Sequence, residues 1–191
     1  MRDDGCVRIE LPERLCDGSV ALRPLVAGDV AAYAAAFRAD PELGRLLGAE
    51  RDPDERSIRA RVARRAQRAS QGAEIELAIA DPGSDAFCGS VILHSFEWQH
   101  QRCEIGFWLL PEVRGRDLGA RAVSLAVTWA LSALNLVRIE ITTTPDNHAA
   151  AALAKRLGFT REGVLRRRNV ERGARVDIVY FGLLRDEWEH V

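Results

Sequence analysis

Cys103–Ala120, CEIGFWLLPEVRGRDLGA, is the stretch on which the reading of this chain turns. It predicts a strand, a proline stop at Pro111, a loop carrying Arg114, Gly115 and Arg116, and an amphipathic helix from Leu118. A strand that passes through glycine into a helix N-terminus gathers unpaired backbone N–H groups under the positive end of the helix dipole. Such a turn cradles an anion, and a pyrophosphate held by main chain rather than by metal fits it. A Walker loop would end in Gly-Lys-Ser/Thr, and a dinucleotide fingerprint needs three glycines at G-x-G-x-x-G spacing. Gly115 and Gly119 supply neither pattern.

Alternation within the strand sorts its side chains. Cys103, Ile105, Phe107 and Leu109 share one face, and Glu104, Gly106 and Trp108 share the other. A carboxylate on a central strand must be solvated, paired or functional. On the functional reading Glu104 is a candidate general base, acting directly or through water. That task requires partial burial to raise its pKa. The competing reading is an ion pair with Arg102, Arg138 or another arginine.

On either side of this stretch the pattern alternates strands with helices. Ser19–Arg23 reads as a strand stopped by Pro24, and Asp29 as the N-cap of a helix through Phe37. Asp52-Pro53 opens a helix to about Ser70, since proline suits a first turn. Glu74–Ala80, Phe87–Phe96 and Val137–Thr143 read as further strands. Leu118, Ala122, Leu125 and Trp129 make one helical stripe. A helix after Pro145-Asp146 ends at Gly158, a good C′ residue, and a hairpin of Gly163–Val170 with Val176–Leu184 closes the chain. The expected class is α/β, a mixed and mostly antiparallel sheet flanked by helices. The expected organisation is an N-terminal extension over 1–18 and a single domain over 19–191.

A chain of 191 residues, 47% hydrophobic and 29% charged, suits one soluble domain. A net charge of −1 provides no global field towards nucleic acid or an anionic membrane. No apolar run is long enough for a membrane span, and MRDDGCVRIE has no signal-peptide core. Cys6, Cys16, Cys88 and Cys103 lack CxxC pairing, so reduced thiols in a cytoplasmic protein are expected, and no metal site. Lys155 is the only lysine. The arginine-rich run Arg56–Arg68 puts Ile58, Val62 and Ala66 on one stripe and its arginines on a solvated face, with acidic counter-charge only just upstream at Asp52, Asp54 and Glu55.

The loop Arg114-Gly115-Arg116-Asp117-Leu118-Gly119 resembles the acetyl-CoA loop of the GNAT N-acetyltransferases, Gln/Arg-x-x-Gly-x-Gly/Ala, with Asp117 where the family carries its first glycine. The order of elements resembles that fold along nearly the whole chain. The resemblance is closest to the RimJ/RimL-like branch, which acetylates protein N-termini, amino sugars, polyamines and similar amines. It is carried by Leu22-Arg23-Pro24-Leu25, Glu104–Leu109, Asn147, Leu157-Gly158-Phe159, Glu162-Gly163, Asp177–Tyr180 and Asp186-Glu187-Trp188.

The resemblance implies an acetyl-CoA-dependent N-acetyltransferase acting by direct attack of a bound amine, with Glu104 as base and no metal. It implies cofactor contacts at Leu109 and Leu110, whose backbone would pair with the pantetheine arm. It extends them to Arg114, Gly115, Arg116, Asp117, Leu118, Gly119, Ala120 and Asn147. A main-chain N–H at the strand end would donate to the thioester oxygen. Asn147 also suits a helix N-cap. Relatives carry a serine or a tyrosine near the leaving sulfur where this chain has Ala150 and Ala154, neither of which can protonate a thiolate. Asp117 either caps the helix outward or competes with a pyrophosphate. The acceptor region of relatives borders Arg56–Arg68, and Arg166-Arg167-Arg168 adds cations nearby, so an amine that also carries an acidic group is one expectation. The resemblance is also compatible with a homodimer. A catalytically impaired acyl-CoA-binding or protein-interaction module stays open, motivated by Asp117, Ala150 and Ala154. Nucleic-acid binding through the arginine helix conflicts with the near-zero net charge.

Overall fold

The computed structural model of the chain describes residues 9–46 and 54–188. In chain order these form β1 (Leu15–Cys16), β2 (Ala21–Pro24), α1 (Val30–Ala39), α2 (Pro41–Leu46), α3 (Glu55–Ser70), β3 (Ile75–Ala80), β4 (Phe87–Glu97), β5 (Arg102–Leu109), α4 (Leu118–Ala133), β6 (Arg138–Thr143), α5 (His148–Arg156), β7 (Thr160–Glu171) and β8 (Ala174–Leu184). The strands join one sheet in the order β1-β2-β3-β4-β5-β6-β8-β7. Only β5 and β6 pair in parallel; every other pair is antiparallel. This is the mixed, mostly antiparallel sheet that the sequence predicts.

The two faces of the sheet differ in chemistry, and the period of two is the reason. Leu77, Ile79, Val91, Leu93, Cys103, Ile105, Ile139 and Ile141 make one apolar face, covered by α4 and α5. The buried stripe of α4 is Ala122, Val123, Ala126, Val127 and Ala130; of the expected Leu118, Ala122, Leu125 and Trp129 line only Ala122 is fully buried, the contact lying one position round from the rest. Small residues let the helix lie close on the sheet, while Leu125 and Trp129 flank the contact half-buried. The opposite face carries Glu76, Ser90, His94, Glu104 and Glu140, and α1 and α3 cover it through a second cluster centred on Trp108. Tyr33 meets the Trp108 ring edge-on at 4.8 Å between centroids, and Phe37 and Phe87 complete the cluster.

Several local expectations are corrected. Asp29 stands at the N-cap of α1 without capping it, because its carboxylate is buried against Arg23 at 2.8 and 2.9 Å and accepts from the Val26 N–H. A buried guanidinium outbids a helix N–H for the same oxygens. The expected helix start at Asp52-Pro53 lies outside the described residues; within them Asp54 caps α3, accepting from Ser57 N–H at 2.8 Å. Ala66 is exposed and Ala69 buried, so the apolar stripe of α3 is Ile58, Val62 and Ala69. The segment expected as an extension contributes β1, which pairs with β2, and Ile9, buried in the larger core. Its packing is therefore continuous with the domain from Ile9 onward. The close of α5 follows expectation: Gly158 N–H donates to Lys155 O and Phe159 N–H to Ala154 O, the Schellman pattern.

Candidate active site

Pairing of β5 with β6 covers only Arg102–Arg138, Cys103–Ile139 and Glu104–Glu140. Beyond it β5 runs on to Leu109 and β6 to Thr143 without a ladder between them. The strands splay, and a cavity opens on each side of the sheet. One, of about 530 Å³, lies beside the N-terminus of α4 and the length of α5. The other, of about 1000 Å³, lies under α1 and α3 and reaches β4 and β7. Ile105, Gly106, Thr142 and Thr143 line both, so the cavities meet at the splay.

The smaller cavity gathers Leu109, Arg114, Gly115, Asp117, Leu118, Gly119, Ala120 and Asn147 of the expected cofactor contacts. Leu110 and Arg116 do not line it. Leu110 donates its N–H to Cys88 O at 2.8 Å and buries its side chain with the Trp108 cluster, while Arg116 is exposed. Since successive N–H groups of a strand alternate, the Leu110 bond to β4 turns the N–H of Leu109 towards the splay. The Leu109 carbonyl on that side accepts from Arg114 Nε at 3.1 Å, and Arg114 Nη2 reaches Asp40 at 2.6 Å. Arg114 is thus spread between the strand end and the α1–α2 corner.

The first main-chain bond of α4 runs from Arg121 N–H to Asp117 O, at 3.3 Å. That leaves the N–H groups of Leu118, Gly119 and Ala120 without helical partners, the cradle read from the sequence. Asp117 does not cap the helix. Its backbone is left-handed, φ 67 and ψ 0, which accounts for the glycine usual at this position and for aspartate as its substitute. Its carboxylate pairs with Arg156 of α5 and, at 3.7 Å, with Arg121. Both the carboxylate and Arg156 border the cavity. Asn147 does cap α5, accepting from Ala150 N–H at 3.2 Å, and faces the same cavity. Ala150 lines it, whereas Ala154 is wholly buried in the core.

Glu104 projects into the larger cavity from the polar face of the sheet. Its Oε2 accepts from Thr142 Oγ1 at 2.9 Å across the splay. The arginines expected to compete for it are engaged elsewhere. Arg102 and Arg138 lie 2.6 and 2.7 Å from the buried Glu140, and Arg138 also binds Glu162 at 2.5 Å. Among the described residues Glu104 has no ion pair.

Deeper in the same wall Glu76 is buried and fully partnered, by Tyr33 (3.0 Å), Ser90 (2.9 Å) and Arg61 (2.5 Å). Burial and this neighbouring carboxylate push the Tyr33 hydroxyl far above the usual tyrosine range. Arg68 and Arg61 share Glu74 at 3.2 and 3.3 Å. The counter-charge of the arginine helix therefore comes from β3 and the residue before it rather than from upstream. Arg64 lines the cavity without an ion pair among the described residues. Arg166, Arg167 and Arg168 do not line it; Asn169 and Glu171 of the same strand do. Simple alternation fails there because β7 slips register between Leu165 and Asn169, with Arg167 left-handed and its N–H given to Asp177 at 2.7 Å.

Sequence reasoning passed over His94, Thr142, Arg156 and the Glu76 network. A histidine closing a strand and a glutamate inside an apolar run, IELAIA with its Glu76, were the available signals. No helix among the described residues is long and apolar enough to cross a membrane. No group of three or more His, Cys, Asp or Glu among them is placed to hold a metal ion.

A splayed parallel pair with a bare helix N-terminus beside it and a carboxylate across it defines a fold built to bring two ligands together. The chain belongs to the acetyltransferase (GNAT) family, whose domain model matches residues 19–160. It is similar to a protein of Bacillus subtilis (strain 168) named ribosomal N-acetyltransferase YdaF, 33% identical over 104 residues, 54% of this chain and 57% of that one. It is also similar to spermidine N(1)-acetyltransferase of Escherichia coli (strain K12), 32% identical over 77 residues, 40% of this chain and 41% of the other. The chain thus spans little more than half the length of the first of these relatives and less of the second. Among solved structures, Mycobacterium smegmatis RimJ in complex with CoA-disulfide superposes with a TM-score of 0.79 at 22% identity, covering 91% of this chain and 86% of that one. At that identity the superposition bears on the fold, and the family is carried by the domain match.

Proposed function

We propose that this chain is an acetyl-CoA-dependent N-acetyltransferase that acetylates a primary amine by direct attack, in the cytoplasm. One observation carries the reading: Glu104, free of any ion pair among the described residues, lines the larger cavity and is oriented by Thr142, which lines both. The smaller cavity suits the cosubstrate. Its free N–H groups at α4 fit a pyrophosphate, and Leu118, Leu153 and Phe107 offer an apolar wall for the pantetheine arm. The Leu109 N–H, turned to the splay, is the donor for the thioester oxygen. The larger cavity suits the amine, and Glu104 takes a proton from its nitrogen in the course of the attack. Holding two reactants at one junction supplies much of the rate without a covalent intermediate.

The acceptor on this reading is a protein or peptide N-terminus or a small amine; the relatives above are named for ribosomal and for spermidine acetylation. Glu74, Glu104 and Glu171 line the cavity beside Arg61, Arg64 and Arg68, so its charge is balanced and does not by itself choose between a cationic amine and one bearing an acid. Arg64 alone among the lining arginines lacks an acidic partner within the described residues. The test is acetyl-CoA turnover with spermidine and with peptides bearing N-terminal serine or alanine. Glu104→Gln is expected to lower kcat by about 10²–10⁴-fold; an unchanged kcat would remove Glu104 as the base.

A second reading, an acyl-CoA-binding module without turnover, draws on Asp117 at the cradle and on alanine at both 150 and 154. Tight binding of acetyl-CoA with no turnover of any amine would select it. The departing thiolate is stable enough, with a thiol pKa near ~8.5, that the missing acid does not itself prevent transfer.

A further inference from the structure

The larger cavity holds a titratable side chain that the reaction above leaves idle. β4 and β5 pair with His94 directly opposite Glu104, and both line the cavity. Side chains so placed stand roughly 5 Å apart at Cβ. Three features aim the imidazole. Ser95 is left-handed, with φ 52, and the pairing slips between His94 and Glu97. A bulge at this point breaks the alternation and re-aims the side chain beside it. Gly106, next to Glu104, contributes no side chain, and a Cβ built there would stand 3.7 Å from His94 Nε2. The ring therefore overlies the glycine at which the cavities join. Nδ1 lies 3.0 Å from Ser95 Oγ, and the tautomer that donates there leaves the Nε2 lone pair facing the cavity.

Amide formation gives a second base a task. An alkylamine arrives as an ammonium at neutral pH and must lose one proton before its lone pair can attack. Once the C–N bond has formed, the nitrogen of the tetrahedral adduct carries another proton that must leave as the C–S bond breaks. One proton passes to solvent and the other ends on the departing thiolate, so ammonium and thioester give amide, thiol and one free proton. A single carboxylate would have to discharge between the two transfers.

We propose that His94 is a second catalytic base, Nε2 taking the ammonium proton and releasing it to solvent while Glu104 takes the proton of the adduct and passes it to the thiolate. The proposal rests on the N-acetyltransferase reading. Glu104 from β5, Glu74 before β3, Tyr33 from α1, Arg61, Arg64 and Arg68 from α3, and Glu171 from β7 line the same cavity and set the electrostatic surroundings of the ring.

The experiment compares wild type, His94→Gln and Glu104→Gln for kcat and KM across about pH 5.5–9.5, with acetyl-CoA and spermidine or an N-terminal serine peptide as probes. His94→Gln is expected to lower kcat by about 10–100-fold and to change the shape of the pH profile, a change that Glu104→Gln does not reproduce. Its KM stays within about twofold when the loss is in chemistry rather than binding. In parallel, histidine ¹⁵N NMR follows the His94 ring, identified by its loss in His94→Gln. The ring is expected as the tautomer protonated at Nδ1, which donates to Ser95 Oγ and leaves Nε2 bare. An active wild type whose pH profile survives in His94→Gln overturns the proposal alone, as does a neutral ring protonated at Nε2. A wild type that turns over neither probe refutes the proposed function, and with it any catalytic role for His94.

Discussion

Replacing Asp117 with glycine tests two physical effects at one atom position. The first is backbone strain. At φ 67 and ψ 0 a residue with a Cβ stands about 1 kcal/mol above glycine. The ion pairs that Asp117 makes with Arg156 and Arg121 offset little, because all of these side chains are about half exposed and such pairs contribute ~0–1 kcal/mol. Asp117→Gly is therefore expected to leave the fold as stable or to raise Tm by a few degrees, ~0–1 kcal/mol. The second effect is charge at the cradle. A carboxylate roughly 6 Å from a phosphate charge repels it by about 0.7 kcal/mol in water and about 2.8 kcal/mol at an effective permittivity of 20. Half-exposure puts the value at ~1–2 kcal/mol, so acetyl-CoA should bind about 5–30 times more tightly. Arg156, released from Asp117, adds to the gain. Isothermal titration of acetyl-CoA into wild type, Asp117→Gly and Asp117→Asn reads the outcome. Asparagine tolerates the left-handed backbone and lacks the charge, so both variants should tighten binding and only glycine should relieve strain. Dissociation constants within about twofold of wild type in both would refute the argument that the carboxylate opposes the pyrophosphate.

Three further outcomes follow from the packing. Gly89→Ala places a Cβ 2.1 Å from the Trp108 carbonyl, against backbone that cannot yield, so a loss of at least ~3 kcal/mol is expected by chemical denaturation; a loss under about 1 kcal/mol would contradict the close approach of β4 and β5. Arg138 holds the Glu162 carboxyl below the usual range through its hydrogen bond, and a depressed native pKa gives stability that is present above about pH 4.3 and lost as pH falls. Arg138→Gln should thus lower Tm at neutral pH, with the gap to wild type closing below about pH 4, and a gap independent of pH would count against the pair. Burial pushes the Cys103 thiol far above its usual range, whereas Cys16 is exposed. Maleimide labelling read by mass spectrometry should modify Cys16 in the native protein and Cys103 only after unfolding; native labelling of Cys103 would contradict its burial.

What could be read from sequence was local. The alternation of Cys103–Leu109 needs no partner strand to be seen, and it assigned Glu104 and Trp108 to one face and Phe107 and Leu109 to the other, as the structure has them. The turn into α4 and the Asn147 cap are likewise short-range, decided within a few residues. Asp117 was visible as a departure, but its left-handed backbone and its arginine partner from α5 were not, since Arg156 lies 39 positions away. Folding of α3 onto the sheet likewise hid the counter-charge: Arg61 and Arg68 find Glu74 and Glu76 only after α3 folds over β3. His94 was lost for another reason. Register between β4 and β5, and the bulge that follows it, are properties of paired strands, so nothing within HSFEW marks the histidine as facing Glu104.

The open side of β7 has a consequence for behaviour at high concentration. A long outermost strand offers its unpaired amides to any other chain, and among the described residues that strand spans Thr160–Glu171 with Val164, Leu165 and Val170 exposed. Arg166, Arg167 and Arg168 fall between those apolar residues, on the segment where the ladder slips and Arg167 turns left-handed. Cationic side chains and a kink are the devices by which sheets refuse a foreign strand. The trio thus works as a guard against fibre-like stacking, keeping a hydrophobic border soluble by making it crooked and positively charged.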